Sequence, residues 1–200
     1  MGARHSRHVF MPHMFVFPGG RVDDDDEDLA LPGQLTSATT QALLRSVDAR
    51  RARALGLTAI RETFEETGLA AGYRAASSLN EGTRLPVSWQ GFAAAGFVPA
   101  IDALHYVARA ITPPGNSRRF DARFFMIDAR LLHGAVAGSG ELESLDWFTL
   151  DAALKLPLGD ITALVLEVLR HRLETGSSQG IDQRSERYRA LFGSELIEHL

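Results

Sequence analysis

Nine residues, Arg61-Glu62-Thr63-Phe64-Glu65-Glu66-Thr67-Gly68-Leu69, constrain this chain more than any other stretch. Three carboxylates fall within five consecutive positions. In a helix each residue advances by about 100° around the axis. Measured from Leu57, Ile60 and Phe64 fall near about 300° and 340°, and Glu65, Glu62 and Glu66 near about 80°, 140° and 180°. The apolar side chains share one face and the carboxylates a broad face roughly opposite. Gly68 stands where a left-handed C-cap glycine would stop the helix. Glu62 and Glu66 are surface neighbours that repel mildly, so helix stability does not account for them. A hard divalent cation does, because carboxylate oxygens are the ligands that Mg²⁺ or Mn²⁺ prefers. For an isolated E-x-x-E-E, a solvated acidic face would be the simpler explanation.

The company this segment keeps changes those odds. Upstream stands Phe17-Pro18-Gly19-Gly20-Arg21-Val22. Pro-Gly-Gly is a turn by composition, and glycine lets a backbone come close to a ligand. Together the two segments resemble the signature of the Nudix hydrolases, in which a glycine, a spaced acid and then R-E-x-x-E-E-x-G with a final apolar residue follow one another. Arg61, Glu62, Glu65, Glu66, Gly68 and Leu69 match it, and Gly20 stands as the first glycine. The chain departs from the pattern in spacing. Arg61 follows Gly20 by 41 residues, which implies an insertion of about 27 residues at roughly 23–50. The acid due six residues after Gly20 is Asp26. It sits within the run Asp23-Asp24-Asp25-Asp26-Glu27-Asp28, and the sequence does not say which of these six serves. The run as a whole reads as a solvated loop face, with one member held behind the cation's ligands.

Composition limits the rest. Two hundred residues with 45% apolar and 23% charged content suit one soluble domain with a proper core. A net charge of −4 argues against a nucleic-acid surface, and the absence of cysteine excludes disulfides and thiolate chemistry. No apolar run reaches membrane-spanning length. The polar, histidine-rich start is no signal peptide, so a cytoplasmic location is expected.

Residues 1–16 hold only short apolar segments, Val9–Met11 and Met14–Phe17. They are expected to lead into the glycine turn without supplying a whole strand pair. The resemblance implies an α/β fold, a mixed β-sheet sandwiched between α-helices, here lacking the usual N-terminal strand. An unfilled edge invites pairing with a second chain, so a homodimer or an unstable monomer is expected. Residues 23–37 read as a loop. Residues 38–67 read as mostly helical, with the glutamate helix starting between Asp48 and Thr58 and ending at Thr67. Residues 70–98 give few signals, and Val87–Phe92 fits a short helix or a strand. Ala103–Ile111 and Arg119–Ile127 read as an antiparallel strand pair around a Pro-Pro-Gly break. Asp151 opens a short helix, and Ile161–Leu173 carries an amphipathic stripe that packs on the sheet. A domain over 1–173 is therefore expected, followed by a linker and a helical tail over 174–200, with the last helix at Ser185–Phe192.

The pattern I-T-P-P-G…R-R-F-D-x-R-F-F resembles the Nudix branch that includes coenzyme A diphosphatases. The resemblance implies a metal-dependent hydrolase that cleaves the diphosphate linkage of a small-molecule nucleoside diphosphate derivative, coenzyme A or an acyl-CoA among them. Gly20, Glu62, Glu65 and Glu66 would hold Mg²⁺ or Mn²⁺, and Glu62 or Glu141 would take the proton of the attacking water. Glu141, with Glu143 as its alternate, precedes Trp147 as the family's late acid does. Arg61, near about 40° on the helix wheel, is assigned to orienting a glutamate through an ion pair. Arg118, Arg119 and Arg123 are the basic candidates for substrate phosphate, because arginine binds phosphate in a fork; pairing with Asp121 is the competing role. His105 reads as a strand residue, and the other histidines lack metal-like spacing. Two rival readings stand beside the enzyme: a nucleotide-binding or regulatory module of the same fold, and a helical interaction protein with an acidic coat.

Overall fold

The computed structural model describes residues 1–7, 11–75, 85–112, 119–176 and 197–198. Along the chain come β1 (Gly2–Arg4), β2 (Phe15–Val16), α1 (Asp24–Asp28), α2 (Ser37–Leu43), α3 (Ala49–Thr67), β3 (Ala70–Arg74), α4 (Val87–Ala94) and β4 (Phe97–Pro99). There follow β5 (His105–Ile111), β6 (Asp121–Met126), β7 (Leu132–His133), β8 (Leu142–Glu143), α5 (Leu150–Ala153), α6 (Asp160–Thr175) and β9 (Ile197–Glu198). Two single 3₁₀ turns, Ile101–Ala103 and Ala129–Leu131, punctuate the second half.

The strands form three small antiparallel sheets, ordered β2-β1-β8, β4-β3-β7 and β6-β5-β9. The expected mixed character survives in one parallel bridge, Phe15 to Leu158. β5 and β6 pair from His105–Met126 to Ile111–Asp121, as their sequences predict. The register shifts between Tyr106 and Ala108. A bulge there lets two successive residues, Val107 and Ala108, join the same cluster of buried side chains. That cluster packs β5 on Leu164, Val165 and Val168 of α6, the predicted stripe. Tyr106 joins a different cluster, with Ala42 and Leu43 of α2 and Ala52 of α3. β5 therefore has helices on both sides. The largest cluster joins Leu57 and Ile60 of α3, Trp89 and Phe92 of α4, and Phe97, Ile101 and Leu104. Full burial of each such side chain stabilises the fold by about 1.5–3 kcal/mol.

Three expectations need correction. Residues 2–4 do form a strand, and β1 pairs with β2 on one side and β8 on the other. Backbone pairing at so short a strand needs no apolar alternation, so composition hides it. The homodimer expected from an open N-terminal edge loses its premise here. Residues 23–37 are not all loop, since α1 and the first residue of α2 lie within them. β3 and β4 occupy the stretch that gave few signals. Arg118 and the expected helix at Ser185–Phe192 lie outside the described residues. Among the described residues no helix is long and apolar enough to cross a membrane.

Candidate active site

The site begins with how α3 is held at its two ends. Asp48 caps the start, its side chain accepting from the Arg51 N–H at 2.8 Å. Gly68 closes the end in the left-handed region at φ 73°, and its N–H donates to the Phe64 carbonyl at 2.8 Å. This fixes the last two turns, which carry Arg61, Glu62, Glu65 and Glu66.

The glycine turn closes on those turns from across the chain. The Gly19 N–H donates to Glu66 Oε2 at 2.8 Å. A Cβ placed on Gly20 would lie 2.3 Å from the Glu62 carboxyl carbon. Only glycine fits against that carboxylate. Glu66 is buried and Glu62 half-buried, while Glu65 is exposed. Burial pushes the Glu66 carboxyl up to about 7; neighbouring Glu62 and Glu141 add to the effect, and the Gly19 N–H and Arg4 oppose it. Burial also raises Glu62, against the pull of Arg61.

Arg61 is buried at 3% exposure, yet its guanidinium is fully engaged. Its Nη1 donates to Glu62 Oε1 and Glu65 Oε2, each at 2.9 Å. Its Nη2 donates to Asp26 Oδ2 at 2.9 Å and to the Arg21 carbonyl at 3.0 Å. Its Nε reaches Asp26 Oδ1 at 3.1 Å. Burial works against the guanidinium's charge, but Asp26 first and then Glu62 and Glu65 outweigh it and raise its pKa further.

Within the acidic run, read as a solvated face with one member held inward, Asp26 is the buried member. It is 0% exposed and accepts hydrogen bonds from Arg61, Thr58, Trp89 and the Asp23 N–H. Burial works to raise its pKa, but these bonds prevail and hold the carboxyl below its ordinary value. The neighbours of Asp26 stay outside or serve as clamps: Glu27 pairs with Arg51 at 2.6 Å and Asp28 with Arg50 at 2.6 Å. Of the six acids, Asp26, six residues after Gly20, is the buried one, and Asp23 meets Arg61 Nη2 at 3.5 Å from the surface. Sequence gave that register as one option. It gave no sign of Thr58 or Trp89 as partners.

The later acids divide. Glu141 is exposed and close enough to Glu66 to raise its pKa. Glu143, on β8, faces His5 at 3.3 Å instead. Arg4 of β1 also acts on Glu66, a cation that the sequence reading passed over. Two of the three basic candidates, Arg119 and Arg123, are engaged elsewhere. Arg123 is 6% exposed, with Nη1 on Asp121 at 2.9 Å and Nη2 on Ser46 at 3.2 Å. Arg119 is exposed and donates to the Thr112 carbonyl at 3.3 Å.

Chemically, the residues fit a hard divalent cation. Their donors are carboxylate oxygens beside a glycine backbone, and burial disfavours the charged form of Glu66, a penalty that a cation would offset. Among the described residues, no three side chains are already gathered at metal-binding spacing, and Arg61 occupies one oxygen each of Glu62 and Glu65.

Neither a family model nor a curated protein sequence matches the chain. A solved structure described as a NUDIX hydrolase from Alicyclobacillus acidocaldarius is similar, at 26% identity and a TM-score of 0.65, covering 84% of this chain and 81% of that one. The chain thus has the Nudix fold, and this likeness, joined to a glutamate helix that closes on a glycine turn, supports its place in the Nudix superfamily as a hydrolase of that type.

Proposed function

We propose that this chain is a metal-dependent hydrolase of the diphosphate linkage in a nucleoside diphosphate derivative, with coenzyme A or an acyl-CoA as the first substrates to test. The observation that carries the reading is the meeting of Gly19 and Gly20 with Glu66 and Glu62, since nothing in the packing of a helix requires a turn from 42 or more residues upstream to be shaped around two carboxylates.

Glu62, Glu65 and Glu66, with the Gly20 carbonyl, would hold Mg²⁺ or Mn²⁺. Such an ion neutralises the anionic diphosphate and lowers the pKa of a coordinated water. Arg61 keeps Glu62 and Glu65 oriented. Glu62 or Glu141 takes the proton of the attacking water. The new bond joins that oxygen to one phosphorus, and the bridging P–O bond breaks, leaving a nucleotide and a phosphorylated remainder. From coenzyme A these are adenosine 3′,5′-bisphosphate and phosphopantetheine. Arg118, Arg119 and Arg123 are the substrate-phosphate candidates in this reading, and Arg123 would have to leave Asp121 to serve.

The test is a Mg²⁺/Mn²⁺ hydrolysis screen of coenzyme A, acyl-CoA, dinucleotides, nucleotide sugars and ADP-ribose, with product identification. Metal-dependent turnover of one class is expected, and Glu65→Gln is expected to lower kcat by about 10²–10⁴ while melting as the wild type does. Near-full turnover by Glu65→Gln would falsify the ligand assignment. Arg61 binding two of the glutamates favours a second reading, nucleotide binding without cleavage. Saturable binding with no product in the same screen would select it.

A further inference from the structure

Trp89 lies on α4, outside the glutamate helix, and its side chain is fully buried. A buried indole carries one N–H that must find an acceptor. A bicyclic hydrocarbon of the same shape would fill the space without that demand. The Trp89 N–H donates to Asp26 Oδ1 at 2.9 Å. Oδ2 of the same carboxylate is held by Thr58 Oγ1 at 2.8 Å, Arg61 Nη2 at 2.9 Å and the Asp23 N–H at 3.1 Å. Among the described residues, Oδ1 accepts only from the indole, at 2.9 Å, and from Arg61 Nε, at 3.1 Å. Apart from Arg61 itself, the carboxylate is held by the indole at Oδ1 and by Thr58 and the Asp23 N–H at Oδ2. The guanidinium is a rigid planar fork, so it cannot turn for one partner without moving the rest. Its far side holds Glu62 and Glu65 at 2.9 Å each.

We propose that Trp89 is a positioning residue of this site: its N–H fixes the plane of Asp26, Asp26 fixes Arg61, and Arg61 fixes the direction in which Glu62 and Glu65 present their oxygens. The inference rests on the hydrolase reading above. It brings one side chain of α4, Trp89, into the positioning of the site, although that side chain need not touch substrate.

The experiment compares wild type, Trp89→Phe and Phe92→Leu in three measurements: thermal melting, Mn²⁺ titration of the metal-free protein, and kcat with KM on the screen's best substrate. Phe92 is the packing control. It is fully buried against Trp89, with ring centroids 5.5 Å apart, and carries no polar atom. Trp89→Phe is expected to weaken Mn²⁺ binding by about 10–100-fold and to lower kcat by about tenfold or more, with KM within about twofold. Phe92→Leu is expected to melt lower while Mn²⁺ affinity and kcat stay within about twofold of wild type at equal fraction folded. If Trp89→Phe does not fold, site-specific replacement of Trp89 by benzothienylalanine keeps the bicyclic shape, removes the N–H and carries the same expectations. Unchanged Mn²⁺ affinity and kcat in the variant lacking the N–H overturn the inference. So does an equal loss of kcat in Phe92→Leu. A wild type that hydrolyses nothing in the screen sinks the hydrolase reading and this inference with it, whereas wild-type turnover with an unaffected Trp89 variant sinks this inference alone.

Discussion

Gly20 has no room for a side chain, because its missing Cβ would lie 2.3 Å from the end of Glu62. The obstructing atoms end a flexible side chain, so Gly20→Ala is expected to melt within a few degrees of wild type. The carboxylate, however, must swing away, and metal-dependent turnover is expected to fall by about tenfold or more. Wild-type turnover in that variant would place Glu62 outside the working site. Glu66 makes a different prediction. In the folded, metal-free protein it holds its proton to about pH 7, whereas the unfolded chain loses it near 4.5. Between these values the folded state binds more protons, so this carboxyl makes stability fall as pH rises across that window. Glutamine cannot titrate. Urea unfolding in EDTA is expected to show Glu66→Gln gaining on wild type from pH 4.5 to 7, by on the order of 3 kcal/mol at the top. Parallel curves would show that Glu66 is not desolvated. These roles differ in how far sequence exposes them. The shared helix of Glu62, Glu65 and Glu66 is legible because their spacing along it is their geometry. Asp26 is not, because six adjacent acids are chemically alike and only burial against Arg61 tells them apart.

Among elements, α3 is the best-announced and the most consequential. Asp48 and Gly68 mark its ends in the sequence, and both cap it in the structure. Gly68 is held at φ 73°, and an added Cβ would lie 3.0 Å from the Ala135 carbonyl oxygen. Gly68→Ala is therefore expected to lower stability by about 1–3 kcal/mol in urea unfolding, with activity lost in proportion as the last turn frays. No loss of stability would mean the C-cap relaxes elsewhere. The strand pair β5–β6 was equally legible, being rich in aromatic and apolar residues around a proline break. β3 was hidden, since Ala-Ala-Gly-Tyr-Arg carries neither β-branched residues nor alternation, and its small side chains answer to close packing. β1 was hidden for a related reason, as three residues are too few to show a period.

At the scale of the molecule, the two halves of the site come from opposite ends of a long stretch of chain, and a bound ion would tie them together. Mn²⁺ is expected to raise the melting temperature of the wild type, by the equivalent of about 2.7 kcal/mol at 100 times its dissociation constant, and to have far less effect on Glu66→Gln. Equal shifts in both proteins would put the ion elsewhere. The stretch between turn and helix is itself firmly attached. Arg53 donates to the carbonyls of Leu29 and Leu31 at 2.8 and 2.5 Å, and Thr39 Oγ1 donates to the Leu104 carbonyl at 2.9 Å. Its helix α2 buries Ala42 and Leu43 against Ala52 and Tyr106. A chain built this way is caught by a ratchet. Deleting the stretch between turn and helix would bare Tyr106 and Ala52 to water and leave Arg53 without its two acceptors, so the shorter protein would be worse before any second change could mend it.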